Sequence, residues 1–301
     1  MKDNLVEDIR RVFTDSGYRV MDCIGARSCF DVAASKRGRK YLVKVMANAE
    51  GFNPEAAYTL RHLADMISAT PVLVSNHIKN GPLSDGVVYD RYGVSLLSAR
   101  SLSEALKESF PATHAVRGGY LTFIDSERMI TLRQRHGITQ SALAEAVGVT
   151  KQSVYRYERT GRVSLDVAKR LNSYFGEDLI SEGQQIKVDS DDGDFAAPSL
   201  RVSSLTHRVL SIFDTLGLEA EATNAPFDVV ASFEDETIFT MVSNDWRRME
   251  QRAQMVDELS EMLGGFSVCV SSRNLSLRMA VVHPDELERI RNRQDLIDLL
   301  E

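Results

Sequence analysis

Residues 133–158 read Arg133-Gln-Arg-His-Gly137-Ile138-Thr139-Gln140-Ser-Ala-Leu143-Ala144-Glu-Ala-Val147-Gly148-Val149-Thr150-Lys151-Gln152-Ser153-Val154-Tyr155-Arg156-Tyr157-Glu158. Met129, Leu132 and Arg133 begin a helix that stops at Gly137. Thr139 suits the N-cap of a second helix, Gln140 to Ala146, because its hydroxyl can accept from an otherwise unpaired backbone N–H. Leu143, Ala144 and Val147 share its inner face, and Ala144 is small where two helices must cross closely. Gly148 supplies the left-handed backbone of a turn, and Val149 is placed to plug the core. Thr150 caps a third helix, Lys151 to Glu158, with Val154 inward and Lys151, Gln152, Ser153, Tyr155 and Arg156 outward. Leu165, Val167, Ala168 and Leu171 predict one more helix to close the bundle.

This pattern closely resembles the Cro/phage-repressor helix-turn-helix family over about 50 residues. The resemblance implies a recognition helix, about 150–158, in the major groove. It also implies a preceding helix across the backbone, and dimers on paired half-sites. The side chains agree. Gln152 can make a bidentate contact to adenine, and Lys151 and Arg156 can donate to guanine. Gln140 starts a helix whose N-terminus suits a phosphate, and Arg159 and Arg162 lie just beyond the reading residues. The predicted DNA-binding set is Thr139, Gln140, Thr150, Lys151, Gln152, Ser153, Tyr155, Arg156 and Arg159. Tyr157 reads as core, and Glu158 as a tether for a neighbouring Arg or backbone group, since phosphate would repel it. The competing reading of the same surface is a solvated face on a protein-binding adaptor.

Charge supports a local reading. The whole chain of 301 residues has net charge −7, which by itself disfavours nucleic acid. Residues 126–176, however, hold nine basic and four acidic residues, against 16 and 14 over 1–125 and 11 and 25 over 177–301. A basic island therefore lies between a near-neutral and an acidic segment. Three cysteines, Cys23, Cys29 and Cys269, form no C-x-x-C and do not cluster with the six histidines, so neither a disulfide scaffold nor a zinc site is expected. The acidic start lacks a signal-peptide core, and no apolar run approaches the roughly 18 residues of a membrane span. The expectation is a cytoplasmic protein with no cofactor, metal or membrane, whose partners are an operator duplex, a second copy of itself and an effector of unknown kind.

The island is flanked by two similar segments. Helix-spaced Val6, Ile9, Val12 and Phe13 predict a helix over 3–16, ended by Gly17. Strand-like runs follow at Tyr18–Asp22, Cys29–Ser35 and Tyr41–Met46, then a helix over Pro54–Ser68 and a strand over Thr70–Ser75. Two short strands near 86–97 and a helix from about 101 come next. Beyond 200 the order recurs. Phe30-Asp31-Val32 reappears as Phe227-Asp228-Val229, while Asn48, Leu63, Met66, Val72, Val74 and Ser75 recur as Asn244, Leu259, Met262, Val268, Val270 and Ser271. The offset falls by one between these groups, which places the loss in the hairpin. The predicted architecture is multidomain: an all-α helix-turn-helix bundle over 120–180 between two duplicated α/β domains, 1–112 and 201–301, each αβββαβ. An acidic linker over 181–200, centred on Asp189–Asp194, is either solvated or competes with DNA for the island.

The αβββαβ order resembles the restriction-endonuclease-like fold. Its active members hold magnesium with an Asp and a following Glu-x-Lys. Asp31 and Lys44 match, but Leu42 stands at the second acid, and the later copy keeps only Asp228. A divalent ion wants several oxygen ligands, so no catalytic residue is predicted; a metal-dependent nuclease or resolvase is the alternative. Asp31 and Asp228 read as strand-end hydrogen-bonding or turn groups, and Lys44 as a snorkelling or edge lysine or a retained DNA or effector contact. The basic hairpin Lys36–Lys40 reads as edge protection or an added phosphate contact. The whole arrangement also resembles a family of archaeal transcriptional regulators with a central Cro-type motif, which implies regulatory DNA binding.

Overall fold

Ile9 and Phe13 are one helical turn apart, and both are fully buried, with Leu5 and Val6 beside them. Each such side chain contributes about 1.5–3 kcal/mol on burial. They fix α1 (Lys2–Asp15) against the strands that follow. The computed structural model describes residues 2–23, 28–79, 81–107, 112–116, 119–181, 200, 202–234, 236–243, 249–273 and 275–300. The chain divides into two compact units, Met1–Leu73 with Asp192–Glu301, and Val74–Asp191.

The first unit opens with α1, β1 (Arg19–Asp22), β2 (Val32–Lys36), β3 (Arg39–Asn48) and α2 (Pro54–Met66). Strand β4 (Thr70–Ile78) begins in this unit and ends in the second. β1–β2 and β2–β3 are antiparallel. Tyr18 meets Phe13 and Tyr41 edge-on and Phe13 meets Tyr41 at a tilt, with centroids 5.3–5.7 Å apart. Cys23 and Cys29 are buried here, and burial pushes both thiols up to about 12, so they are protonated packing groups.

The second unit continues with β5 (Gly81–Pro82), β6 (Val87–Arg91), β7 (Val94–Leu97), α3 (Ala99–Leu106), β8 (Thr113–Val116) and β9 (Gly119–Phe123). It then forms α4 (Ser126–Arg135), α5 (Gln140–Val147), α6 (Lys151–Thr160), β10 (Arg162–Ser164) and α7 (Leu165–Phe175). β8 runs parallel to β6 and antiparallel to β9, and β9 pairs antiparallel with β10. The helices thus grow from a β-ribbon that periodicity did not signal.

The chain returns to the first unit with α8 (Ser204–Thr215), β11 (Glu219–Ala222), β12 (Val229–Phe233), β13 (Glu236–Val242), α9 (Met249–Leu263) and β14 (Phe266–Val270). β15 (Ala280–Val282), α10 (Pro284–Leu287) and α11 (Arg293–Leu300) complete it. The sheet order is β11-β12-β13-β14-β15, with β14 parallel to both neighbours. Within this unit α2 packs on β12 and α9 packs on β2. Cys29 N–H donates to Asn224 O at 2.6 Å, and His62 Nε2 lies 2.5 Å from Glu221. The two α/β segments therefore meet inside a single chain.

Two expectations are corrected by the strand registers. β2–β3 pairs Val32 with Val43 and Lys36 with Arg39, while β12–β13 pairs Val229 with Thr240 and Phe233 with Glu236. All four positions differ by 197, so the hairpin loses no residue. The Arg37-Gly38 turn explains why: both residues have positive φ (49° and 81°), as a two-residue hairpin turn requires. The offset is 196 only later, where Ser75 and Ser271 accept from His77 N–H and Arg273 N–H. Leu42, Val43 and Lys44 consequently correspond to Phe239, Thr240 and Met241 in the later copy. The basic hairpin is also not an edge, since it joins the inner strands of β1-β2-β3-β4. Lys36 Nζ donates to Ser16 O at 2.6 Å and Lys40 Nζ to Ile67 O at 3.2 Å, placing cations on the carbonyl ends of α1 and α2. Asn244 and the acidic stretch Asp189–Asp194 lie outside the described residues.

Candidate nucleic-acid interface

The two caps read from the sequence, Thr139 and Thr150, are in place, and side chains cap the other two helices as well. Thr139 Oγ accepts Ala142 N–H, Thr150 Oγ accepts Ser153 N–H at 3.1 Å, and Asp125 and Ser164 do the same for α4 and α7. Such a cap stabilises by about 1 kcal/mol. Gly148 is left-handed (φ 68°, ψ 45°) and ends α5. Met129, Leu132, Leu143, Ala144, Val147, Val154, Tyr157, Val163, Val167, Ala168 and Leu171 form one core, with Val149 half-buried against it. Tyr157 is core, as its position predicts.

Val154 and Tyr157 anchor α6, which turns its other face to solvent. Lys151, Gln152, Tyr155, Arg156 and Arg159 are all exposed, at the i, i+1, i+4, i+5 and i+8 positions of a single stripe. Tyr155 is 55% exposed, and a shallow groove runs between Gln152, Tyr155, Arg156, Arg159 and Thr160. Lys151, Arg156 and Arg159 make no ion pair among the described residues; Arg156 lies 5.6 Å from the Tyr157 ring centroid. Thr139 and Thr150 are exposed and spend their hydroxyls on caps. Half-buried Ser153 shares a 2.9 Å hydrogen bond with Thr150.

Gln140 is half-buried, and its amide nitrogen donates to Glu158 Oε2 at 2.6 Å. Arg133 Nε donates to the other oxygen of Glu158 at 2.6 Å and reaches Ile138 O at 2.9 Å. Glu158 thus ties α4, the start of α5 and the end of α6 together, as the tether reading anticipates. Two further locks were not legible. Arg170 donates to Val147 O at the end of α5. Ile124 N–H donates to Gly161 O at 2.8 Å, and a Cβ on Gly161 would meet Ile124 O at 2.7 Å. Gly161 is left-handed (φ 65°), so glycine is required twice over. The signal available was Gly161 itself, a helix-ending glycine after the recognition stretch.

The nuclease-like centre lies in the first unit. Asp31 is 8% exposed. Its Oδ2 accepts Val45 N–H at 2.8 Å, and its Oδ1 accepts Lys2 Nζ at 2.9 Å. Lys44 Nζ lies 3.4 Å from Oδ2 and donates to Ser28 O at 2.9 Å. Leu42 is fully buried. Among the described residues, no group of three or more His, Cys, Asp and Glu is placed to hold a metal. Likewise, no described helix is long and apolar enough to cross a membrane.

Residues 2–111 match the PD-(D/E)XK superfamily domain, and residues 129–180 match a helix-turn-helix family. No solved structure shows a significant match to the chain. Curated relatives match from end to end, each described as a "Putative HTH-type transcriptional regulatory protein". That of Thermococcus gammatolerans is 30% identical, over 100% of this chain and 96% of its own. Those of Pyrococcus abyssi and Methanocaldococcus jannaschii are 28% and 26% identical, over 99% of this chain and 97% and 96% of theirs. With its PD-(D/E)XK domain, its central helix-turn-helix and similarity along its full length, the chain belongs to this archaeal family of HTH-type transcriptional regulatory proteins.

Proposed function

We propose that this protein is a sequence-specific DNA-binding transcriptional regulator of the cytoplasm that reads duplex DNA with α6 in the major groove. The observation that carries the reading is the solvent-facing stripe of α6, where Lys151, Gln152, Tyr155, Arg156 and Arg159 stand on a rigid, capped bundle. Lys151 and Arg156 donate to guanine and Gln152 pairs with adenine, each bidentate contact contributing about 1–3 kcal/mol of discrimination. Thr139, Gln140, Thr150, Ser153 and Arg159 act on the backbone through the N-termini of α5 and α6 and through side chains. Two copies bind paired half-sites about 34 Å apart, the spacing usual for this motif.

The α/β segments within 1–112 and 201–301 are two copies of one domain. Their shared element order, the constant offset of β2–β3 and β12–β13, and the reciprocal contacts of α2 with β12 and of α9 with β2 support this. Because the copies pair with each other, the dimer is made through other surfaces, and an effector would act on the α/β pair. The reading as a regulator rather than a nuclease rests on Leu42 at the second acid and on the names of the relatives.

Selection of bound duplexes from a random pool tests the proposal. A shared motif is expected, with affinity falling steeply with salt. Fragments sharing no motif would favour an adaptor. Magnesium-dependent cleavage abolished by Asp31→Ala would favour a nuclease.

A further inference from the structure

The PD-(D/E)XK superfamily implies a divalent ion at Asp31, and the donor set does not fit one. Such an ion needs several oxygen ligands, with at least one or two carboxylates for magnesium. Leu42 offers none, and both oxygens of Asp31 are engaged by Val45 N–H and Lys2 Nζ. Lys44 Nζ, 3.4 Å away, adds a second ammonium. A dication there would join two cations around a single, mostly buried carboxylate, and charge without compensation is costly in such a place.

The second α/β segment is an internal control. Asp228 Oδ2 accepts Val242 N–H at 2.7 Å, the position matching Val45 N–H. Asp228 Oδ1 lies 2.7 Å from the Arg252 guanidinium, whose Nε donates to Pro226 O at 2.5 Å. The positions matching Leu42 and Lys44 are Phe239 and Met241, both fully buried. Here the Asp persists with neither companion of a nuclease centre. It does the same job in both segments: one oxygen holds the neighbouring strand, and the other holds a cation from a helix.

We propose that the vestigial nuclease centre is a cation-filled lock, in which the ammonium group of Lys2, beside the retained Lys44, takes the place of a divalent ion on Asp31. Asp31 fastens the start of α1 to β2 and β3. A lysine at the first residue of a helix opposes the helix dipole, and the carboxylate offsets that. This inference is independent of DNA binding, which survives or fails without it.

The test uses the full chain with manganese as the probe. In unaltered protein, no bound manganese is expected by electron paramagnetic resonance, and Tm is the same in EDTA and in millimolar manganese. Asp31→Asn should lower Tm in EDTA by about 5 °C or more for loss of a buried ion-pair partner, and Asp228→Asn, whose carboxylate is 29% exposed, by about 2 °C. In a metal-free nuclease centre, the same change would relieve repulsion between acids and leave Tm unchanged or raised. Lys2→Met, at a half-exposed position, should lower Tm by about 2 °C and lose that effect on an Asp31→Asn background. Bound manganese, a manganese-induced rise in Tm, or an Asp31→Asn protein as stable as the parent would overturn the proposal. If Asp31→Asn fails to fold, the manganese titration of the unaltered protein and Lys2→Met still decide it.

Discussion

Two basic stretches look alike in sequence and are used in opposite ways. The hairpin Lys36-Arg37-Gly38-Arg39-Lys40 and the helix Lys151–Thr160 are both rich in cations. In the hairpin, Lys36 and Lys40 turn onto carbonyls of the same unit, at the ends of α1 and α2. In α6, Lys151, Arg156 and Arg159 point to solvent and make no ion pair among the described residues. A cation already satisfied inside the fold adds little to binding, whereas one held in solvent on a rigid helix exchanges water and counterions for phosphate or base edges at small ordering cost. Basic composition marks a candidate surface, and the partners of each side chain decide whether it is one.

Breaking the outward set should have the largest effect. Lys151→Ala, Gln152→Ala and Arg156→Ala together should cost at least about 3 kcal/mol of operator discrimination, read as the ratio of specific to non-specific affinity at one salt concentration. Their exposure predicts an unchanged Tm. Operator binding equal to the parent's would end the proposed assignment. Glu158→Ala comes next. It strands Arg133 (14% side-chain exposure) and Gln140, so stability should fall by about 3 kcal/mol in urea titration. Smaller is Gly161→Ala, which forces a Cβ into a left-handed residue against Ile124 O and should cost about 2 kcal/mol by the same titration. Smallest, and sharpest for the comparison, is Lys36→Met with Lys40→Met. Stability should drop by about 1 kcal/mol per lost hydrogen bond. Operator affinity and its salt slope should hold, and a slope reduced by about one per lysine would return the hairpin to the DNA surface.

The helix-turn-helix was legible almost residue by residue because its determinants are local. Thr139, Thr150 and Gly148 act on backbone within three residues of themselves, and Val154 and Tyr157 follow from helical spacing. The tether role of Glu158 was legible from charge alone, but its partners were not, since Arg133 and Gln140 are 25 and 18 residues away. β10 is three residues long, too short for a period, and it exists because Phe123 and Arg162 are paired by the ends of β9 and α6. The element order of the α/β segments was readable. The position of the lost residue was not, because only strand register separates an offset of 197 from 196.

The sequence by itself determined α6, its caps and its outward side chains, since helix periodicity and capping depend on neighbours within a turn or two. The tertiary structure decided which charges are spent. Lys2 reaches Asp31 across 29 residues, Arg252 lies 2.7 Å from Asp228, and α2 and α9, while packed on their own strands, each also touch the other segment's sheet. A side chain's charge is written in the chain, but its availability depends on which groups folding brings within about 3 Å, the range over which a hydrogen bond or ion pair forms.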